Sequence, residues 1–444
     1  MKIGLRWILN HPTQAGVWRQ SSQLVHQDHS KGSFFQSIKK EDPLKRLFSL
    51  TFLAVMAVLV ASPAQATFSR VNALAGLSLY VEDNTNVFFL PQTLVQWQNQ
   101  AYFEMMDDSF SDDDRFVGGN FHLPRLNFEA GVYVNMPTLT PSLLNAVGEY
   151  SHVDPGKHAS IFIAKNQWGF YLSYGADSWK DDQAATDALN EESTSWFGVG
   201  GGYTFTASKW TSEIGLRLGF GSGETKYNGT GAGVSPGEES SFDLDVVIRN
   251  WYQRGRHGRF NAVVTFSTEN ASGKTDTSDP NVDTAGKLSG TGVGLGVGWE
   301  YPASNNVLVI AVLEPVDYVA LKFEEPGDAG TRDETKVTNL VLPAVFLAVE
   351  AKIAGWLTGR VGATQSWGTE TSEFTDANDD TNNTKITRGM SAFAISLGVG
   401  VEFGRNFWMD AVIDEQIFYR GPNFVTGLDL DDDLVAQLSI GGRW

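Results

Sequence analysis

The sequence predicts an all-β fold, a closed antiparallel transmembrane β-barrel of about 16 strands with short periplasmic turns at one end and long extracellular loops at the other. Three observations predict it. Past residue 98, apolar side chains alternate with small or charged ones at a period of two. Short and long connections alternate strictly, and large aromatics gather beside the short ones.

Composition agrees with that reading. The chain of 444 residues holds 46 glycines, 12% aromatic and 42% hydrophobic residues, yet past residue 66 no stretch is apolar enough to cross a bilayer as a helix. The chain has no cysteine, which excludes disulfides and thiolate metal sites. The formal net charge is -19, and a chain this acidic, lacking clustered Lys and Arg, is not a nucleic-acid binder.

Taken in order, residues 1–46 show neither helical nor strand periodicity and read as a disordered leader or a misassigned start. Residues 47–66 read as the apolar region and cleavage site of a secretory signal. Leu47 to Ala61 follow Lys39, Lys40, Lys45 and Arg46 and precede Ser62-Pro63-Ala64-Gln65-Ala66, a small-residue cleavage pattern. As a helix those apolar residues rise only ~22 Å, short of the ~30 Å hydrocarbon core, so a signal is favoured over an anchor. Cleavage after Ala66 leaves 25 basic against 49 acidic residues, a net charge of -24. Export then implies a bacterial outer membrane, with its lipid, its lipopolysaccharide and the barrel-assembly machinery as partners.

Residues 67–97 lack strand alternation and read as a luminal or periplasmic segment; residues 98–444 read as the barrel. Strands are expected at roughly 98–107, 115–123, 126–136, 158–165, 167–177, 195–206, 209–221, 241–252, 258–268, 289–301, 305–323, 335–351, 355–368, 384–403, 406–417 and 434–444. An even count brings both ends to the short-turn side; a count of about 14 follows if the next segment joins 67–97 in the lumen. The clearest strands are two. Phe393, Ile395, Leu397, Val399, Val401 and Phe403 oppose Ala394, Ser396, Gly398, Gly400 and Glu402; Val293, Leu295, Val297, Trp299 and Tyr301 oppose Gly292, Gly294, Gly296, Gly298 and Glu300.

The short connections lie at 165–167, 207–209, 253–258, 302–305, 353–355 and 404–406. Beside them stand Trp168, Trp210, Trp251, Tyr252, Trp299, Tyr301, Trp356, Phe403, Phe407 and Trp408, an expected interfacial girdle. The long loops near 178–194, 222–240, 269–288, 324–334, 369–383 and 418–433 are rich in Asp, Glu, Gly, Ser, Thr and Asn.

The final strand alternates Leu434, Ala436, Leu438, Ile440, Gly442 and Trp444 with Val435, Gln437, Ser439, Gly441 and Arg443. It resembles the C-terminal signal by which outer-membrane barrels are recognised for assembly, with Leu438, Ile440 and Trp444 as the signal residues; Gly442 stands where that signal carries a large apolar residue. Ala75-Gly76, Asp83-Asn84 and Pro91 resemble the start of the fatty-acid-transporter and secretion-associated barrel superfamily, although Leu90-Pro91-Gln92 replaces its Asn-Pro-Ala. That resemblance implies an N-terminal segment lying in the lumen.

The inward charges Glu213, Arg217, Asp243, Asp245, Arg249, Glu300, Arg360, Glu402, Asp410 and Asp414 are the candidate pore lining, because rings of charge set ion preference. The same residues could also form a paired network, with Arg217 beside Asp243 and Asp245, and the two readings do not exclude each other. Inner-face glycines such as Gly198, Gly200, Gly202, Gly398 and Gly400 serve either wall curvature or a guest in the lumen. Pro343 lacks a ladder donor and predicts a bulge, a lateral gap or a strand end. Of the acidic runs, 107–114, 376–380 and 429–433, only Asp376, Asn378 and Asp380 are weak candidates for a divalent cation; a solvated loop is the commoner explanation. His122, His152, His158 and His257 have no Ser or Asp at informative spacing, so neither an enzyme nor a cofactor is expected. Two functions remain: a channel or uptake protein passing small solutes through a polar, partly occluded lumen, or a non-transporting barrel acting as surface anchor, adhesion or assembly partner.

Overall fold

A computed structural model describes residues 67–106, 115–135, 158–181, 189–227, 237–275, 286–326, 332–377, 380–404, 406–413 and 435–444. Sixteen strands fall within them. They are β1 (Gln100–Met106), β2 (Arg115–Leu123), β3 (Phe128–Val134), β4 (His158–Lys165), β5 (Trp168–Lys180), β6 (Leu189–Ala207), β7 (Trp210–Tyr227), β8 (Gly237–Gln253), β9 (Arg259–Thr275), β10 (Gly286–Ser304), β11 (Val307–Pro326), β12 (Arg332–Ala354), β13 (Leu357–Thr375), β14 (Thr384–Phe403), β15 (Phe407–Ile413) and β16 (Val435–Arg443). Each pairs antiparallel with its neighbours in the chain, and β1 pairs with β16 from Gln100 opposite Arg443 to Met106 opposite Gln437. The sheet is therefore a closed barrel with no free edge, the arrangement in which every backbone group finds a partner without water.

Alternation assigns the two faces. On β7, Ile214 and Leu216 are exposed, whereas Glu213, of the opposite parity, is buried; on β10, Val293, Leu295, Val297 and Trp299 are exposed while Glu300 is buried. A water-soluble fold would hide the greasy face, and here the ionic face is the one turned inward. No helix of the described residues is long and apolar enough to cross a membrane, which says nothing of crossing by strands.

The strands run further than the apolar alternation. Segments 189–194, 222–227, 269–275 and 369–375, which read as loop, continue the ladders of β6, β7, β9 and β13. They are rich in Ser, Thr, Gly and Glu on both faces, so the ladder goes on after the signal of sidedness has stopped. A second correction concerns the girdle. Trp210, Trp299, Trp356 and Phe407 do face outward, but Trp251 and Trp408 are buried inside, and the Trp251 indole donates to Glu213 Oε2 at 3.0 Å. Nearness to a short turn does not decide the face; strand parity does.

Pro343 does sit at an irregularity. Between β12 and β13 the register slips from Val341 to Ala344, and between β10 and β11 from Leu295 to Val297, where Pro315 lies on the partner strand. At the chain end, Ile440 and Trp444 are exposed, with Trp444 against Phe121 at a centroid separation of 5.6 Å.

Residues 67–97 pack against the buried face of the wall. Thr67 caps α1 (Phe68–Ala73) by accepting from the Arg70 amide, and 3-10 turns follow at Ser78–Tyr80, Asn84–Phe88 and Pro91–Gln96. The middle turn carries a capping box, in which Asp83 accepts from the Thr85 amide and Asn86 Oδ1 accepts from the Asp83 amide. Phe68 and Phe88 join Tyr102, Phe116, Tyr133 and Phe162 of β1 to β4 in one aromatic cluster; Leu74, Leu79 and Leu90 join Val263, Ile310 and Phe346 of β9, β11 and β12 in another. Each fully buried leucine contributes roughly 1.5–3 kcal/mol to that seating.

Candidate functional site

The inward charges meet the N-terminal segment. Arg70 on α1 forks onto Glu350 of β12, with Nε to Oε2 at 2.7 Å and Nη2 to Oε1 at 3.2 Å, and its Nη1 reaches Asp83 at 3.0 Å. Arg360 of β13 shares Glu350 at 2.7 Å and holds Asp410 of β15 at 2.5 Å; Asp410 also accepts from the Thr67 hydroxyl at 3.2 Å. The first amide of α1, Phe68 N, donates to Glu104 of β1 at 2.9 Å, which places a carboxylate at a helix N-terminus.

A second centre lies on β7 to β11. Arg249 donates to Glu213 at 2.6 Å and to Asn86 Oδ1 at 2.7 Å, and reaches the carbonyls of Leu79 and Val81, both at 3.4 Å. Arg259 pairs with Glu300 and with Glu82 of the segment, the latter at 2.6 Å, while its guanidinium lies 4.2 Å over the Trp251 ring. Tyr80 donates to Glu314 at 2.8 Å and accepts through its carbonyl from Asn261 at 2.8 Å.

Of the residues singled out as lining, Glu213, Arg249, Glu300, Arg360 and Asp410 belong to these two centres. Arg217 and Asp245 pair with each other at 2.6 Å, with Asp243 one pair further along, across from Gly219. Glu402 is buried 4.0 Å from the Lys352 ammonium. Asp414 lies outside the described residues, as do Asn378 and the acidic runs at 107–114 and 429–433. Asp376 accepts from Asn382 at 2.8 Å, and no group of three metal-ligating side chains occurs among the described residues.

Sequence reasoning missed Arg70, Asp83, Glu104, Arg259, Glu314 and Glu350. Glu350 had a signal, since it continues the inner row Ala344, Phe346, Ala348, but a phenylalanine in that row blurs the parity. Arg70 and Asp83 lie where no periodicity exists to read.

Inner glycines admit the segment. A Cβ on Gly362 would fall 2.6 Å from the Ala75 amide nitrogen, and one on Gly215 would collide with the Phe89 carbonyl. Close approach of backbone to backbone, and not curvature alone, is what these two positions require.

Asp83 is fully buried, and burial pushes its carboxyl up to about 6 although Arg70 and the Thr85 amide hold the ionised form. A carboxyl raised in the seated segment favours seating while it is neutral, so that contribution is full below about 4 and is lost as pH rises through about 6. Hydrogen exchange, corrected for intrinsic rates, is expected to show residues 67–97 better protected at pH 5 than at pH 7.5. Asp83→Asn should abolish the difference; an unchanged pH dependence in that variant contradicts the assignment.

No family model and no curated protein matches this chain. Solved structures with a similar strand arrangement include the toluene transporter TbuX of Ralstonia pickettii, 10% identical over 86% of this chain and 99% of that one with a TM-score of 0.36. The toluene transporter TodX of Pseudomonas putida is 10% identical over 87% of this chain and 98% of that one, TM-score 0.33. The alcaligin outer-membrane receptor FauA of Bordetella pertussis is 7% identical over 78% of this chain and 76% of that one, TM-score 0.34.

Proposed function

We propose that this chain spans a bacterial outer membrane as a channel or uptake protein and passes small solutes through a polar lumen that residues 67–97 partly occlude. The observation that carries the reading is the inversion of the two faces, greasy outward and ionic inward, on a sheet with no edge. Seated against the inner wall, the segment narrows the path, and its anchoring arginines neutralise most carboxylates around it. The inward charges outside those two centres include Asp243, Asp245, Glu269 and Asp317 against Arg217, an acidic excess. Such a lining favours cations over anions. Export by a signal ending at Ala66, contact with lipopolysaccharide and recognition of β16 by the assembly machinery belong to the same reading.

The experiment is reconstitution in a planar bilayer. Small conductance steps with a reversal potential on the cation-selective side are expected under a salt gradient. Absence of both conductance and solute flux from a heat-modifiable, folded barrel would leave the non-transporting anchor as the function.

A further inference from the structure

The outer side of the wall is not evenly filled. Across β7 to β12 lies an apolar depression of about 600 Å³, within the range of about 300–1,000 Å³ that single small molecules occupy. Two register rows build it. Beside the short turns, Trp210, Tyr252, Phe260 and Trp299 stand next to one another, then the row drops to Ala311 before rising at Leu347. In the row above, Asn250 is followed by Ala262, then Val297, Leu313 and Val345. The two alanine methyls leave the floor near the backbone while bulky neighbours form the sides.

The rim is held rigidly. The Trp299 indole donates to the His257 carbonyl at 3.0 Å and stacks on Phe260 at 5.9 Å and 9°, and Trp210 lies 4.7 Å from Tyr252. Behind the floor, Tyr80, Val312 and Phe346 are buried on the inner side, so the depression opens outward and not into the lumen. Asn250, whose Oδ1 accepts from the Ser212 hydroxyl at 2.6 Å, supplies an amide at one end.

We propose that this depression is a phospholipid site holding one acyl chain of the leaflet next to the short turns, with Asn250 and the Trp210, Tyr252 and Trp299 rim at the ester and headgroup level. The inference rests on the membrane-spanning reading. It goes beyond general wetting by lipid because the groove is concave, continuous with the outward apolar belt, and edged by fixed amphipathic rings. A second copy is a poorer occupant, since the convex wall of a barrel offers no protrusion to enter it.

The test uses the full barrel extracted from its native membrane in mild detergent, washed, and analysed by mass spectrometry for lipid per protein. The wild type should retain one phospholipid per barrel, and Ala262→Trp with Ala311→Trp should lose it several-fold. A milder Ala311→Leu is expected to be intermediate, and Ile161→Trp, on the outward face of β4, to change nothing. All four proteins should keep heat-modifiable migration and the wild-type conductance. Equal retention in the filled variant, no retained lipid in the wild type, or a dimer abolished by filling the groove would overturn the proposal. If the wild type stays soluble without detergent, the membrane-spanning reading itself fails instead.

Discussion

Deletion of residues 67–97 is expected to raise single-channel conductance on the order of tenfold, because a barrel of 16 strands is of the size that encloses an aqueous channel when nothing fills it. With strands about 4.8 Å apart and tilted about 40°, the backbone cylinder is roughly 30 Å across. The wall should survive the loss. Its hydrogen-bond ladder closes through β1 and β16 without help from the segment, and the main inward charges keep partners on the wall itself, Arg249 with Glu213 and Arg360 with Glu350 and Asp410. What is lost is apolar burial, since Tyr133, Phe162, Ile310 and Phe346 then face water at a cost of roughly 25 cal/mol per Å² uncovered. The variant should therefore be a folded, less heat-resistant and much more conductive barrel. Unchanged conductance in a folded deletion variant would show that the path does not run past this segment.

That expectation also marks what the sequence made legible. The barrel was readable wherever one face was apolar and the other was not, as in β7, β10 and β14, because the bilayer enforces sidedness at every second residue. The upper parts of β6 and β13 were not readable, since a ladder standing in water has no face to prefer. The site was legible only on its wall half. Glu213, Arg249, Arg360 and Asp410 announce themselves as charges on the face opposite the apolar row, but their counterparts Thr67, Arg70 and Asn86 sit in a six-residue helix with its cap and in a short 3-10 turn, which carry no period. The ambiguity between pore lining and paired network could not be resolved from spacing, because segment groups that pair with these charges lie 163 to 343 residues away in the chain.

The second large effect is expected from Arg360→Met. Arg360 is 1% exposed and joins two carboxylates, but the two are not equally dependent on it. Glu350 retains the Arg70 fork, whereas Asp410, itself 1% exposed, would keep just the Thr67 hydroxyl as a side-chain donor among the described residues. Removing one partner of a buried ion pair typically costs about 3–5 kcal/mol because the other charge is stranded, while replacing both groups costs far less. Arg360→Met should thus lower the temperature at which the barrel loses its compact migration and loosen α1, read as faster exchange of the amides at 68–73. Asp410→Asn in the same chain should restore most of the loss by removing the stranded charge, a coupling that a double-mutant cycle measures directly. If the double variant is no more stable than Arg360→Met alone, then Arg360 acts through packing or through Glu350, and the bridge to Asp410 and Thr67 does not hold the start of the segment to the wall.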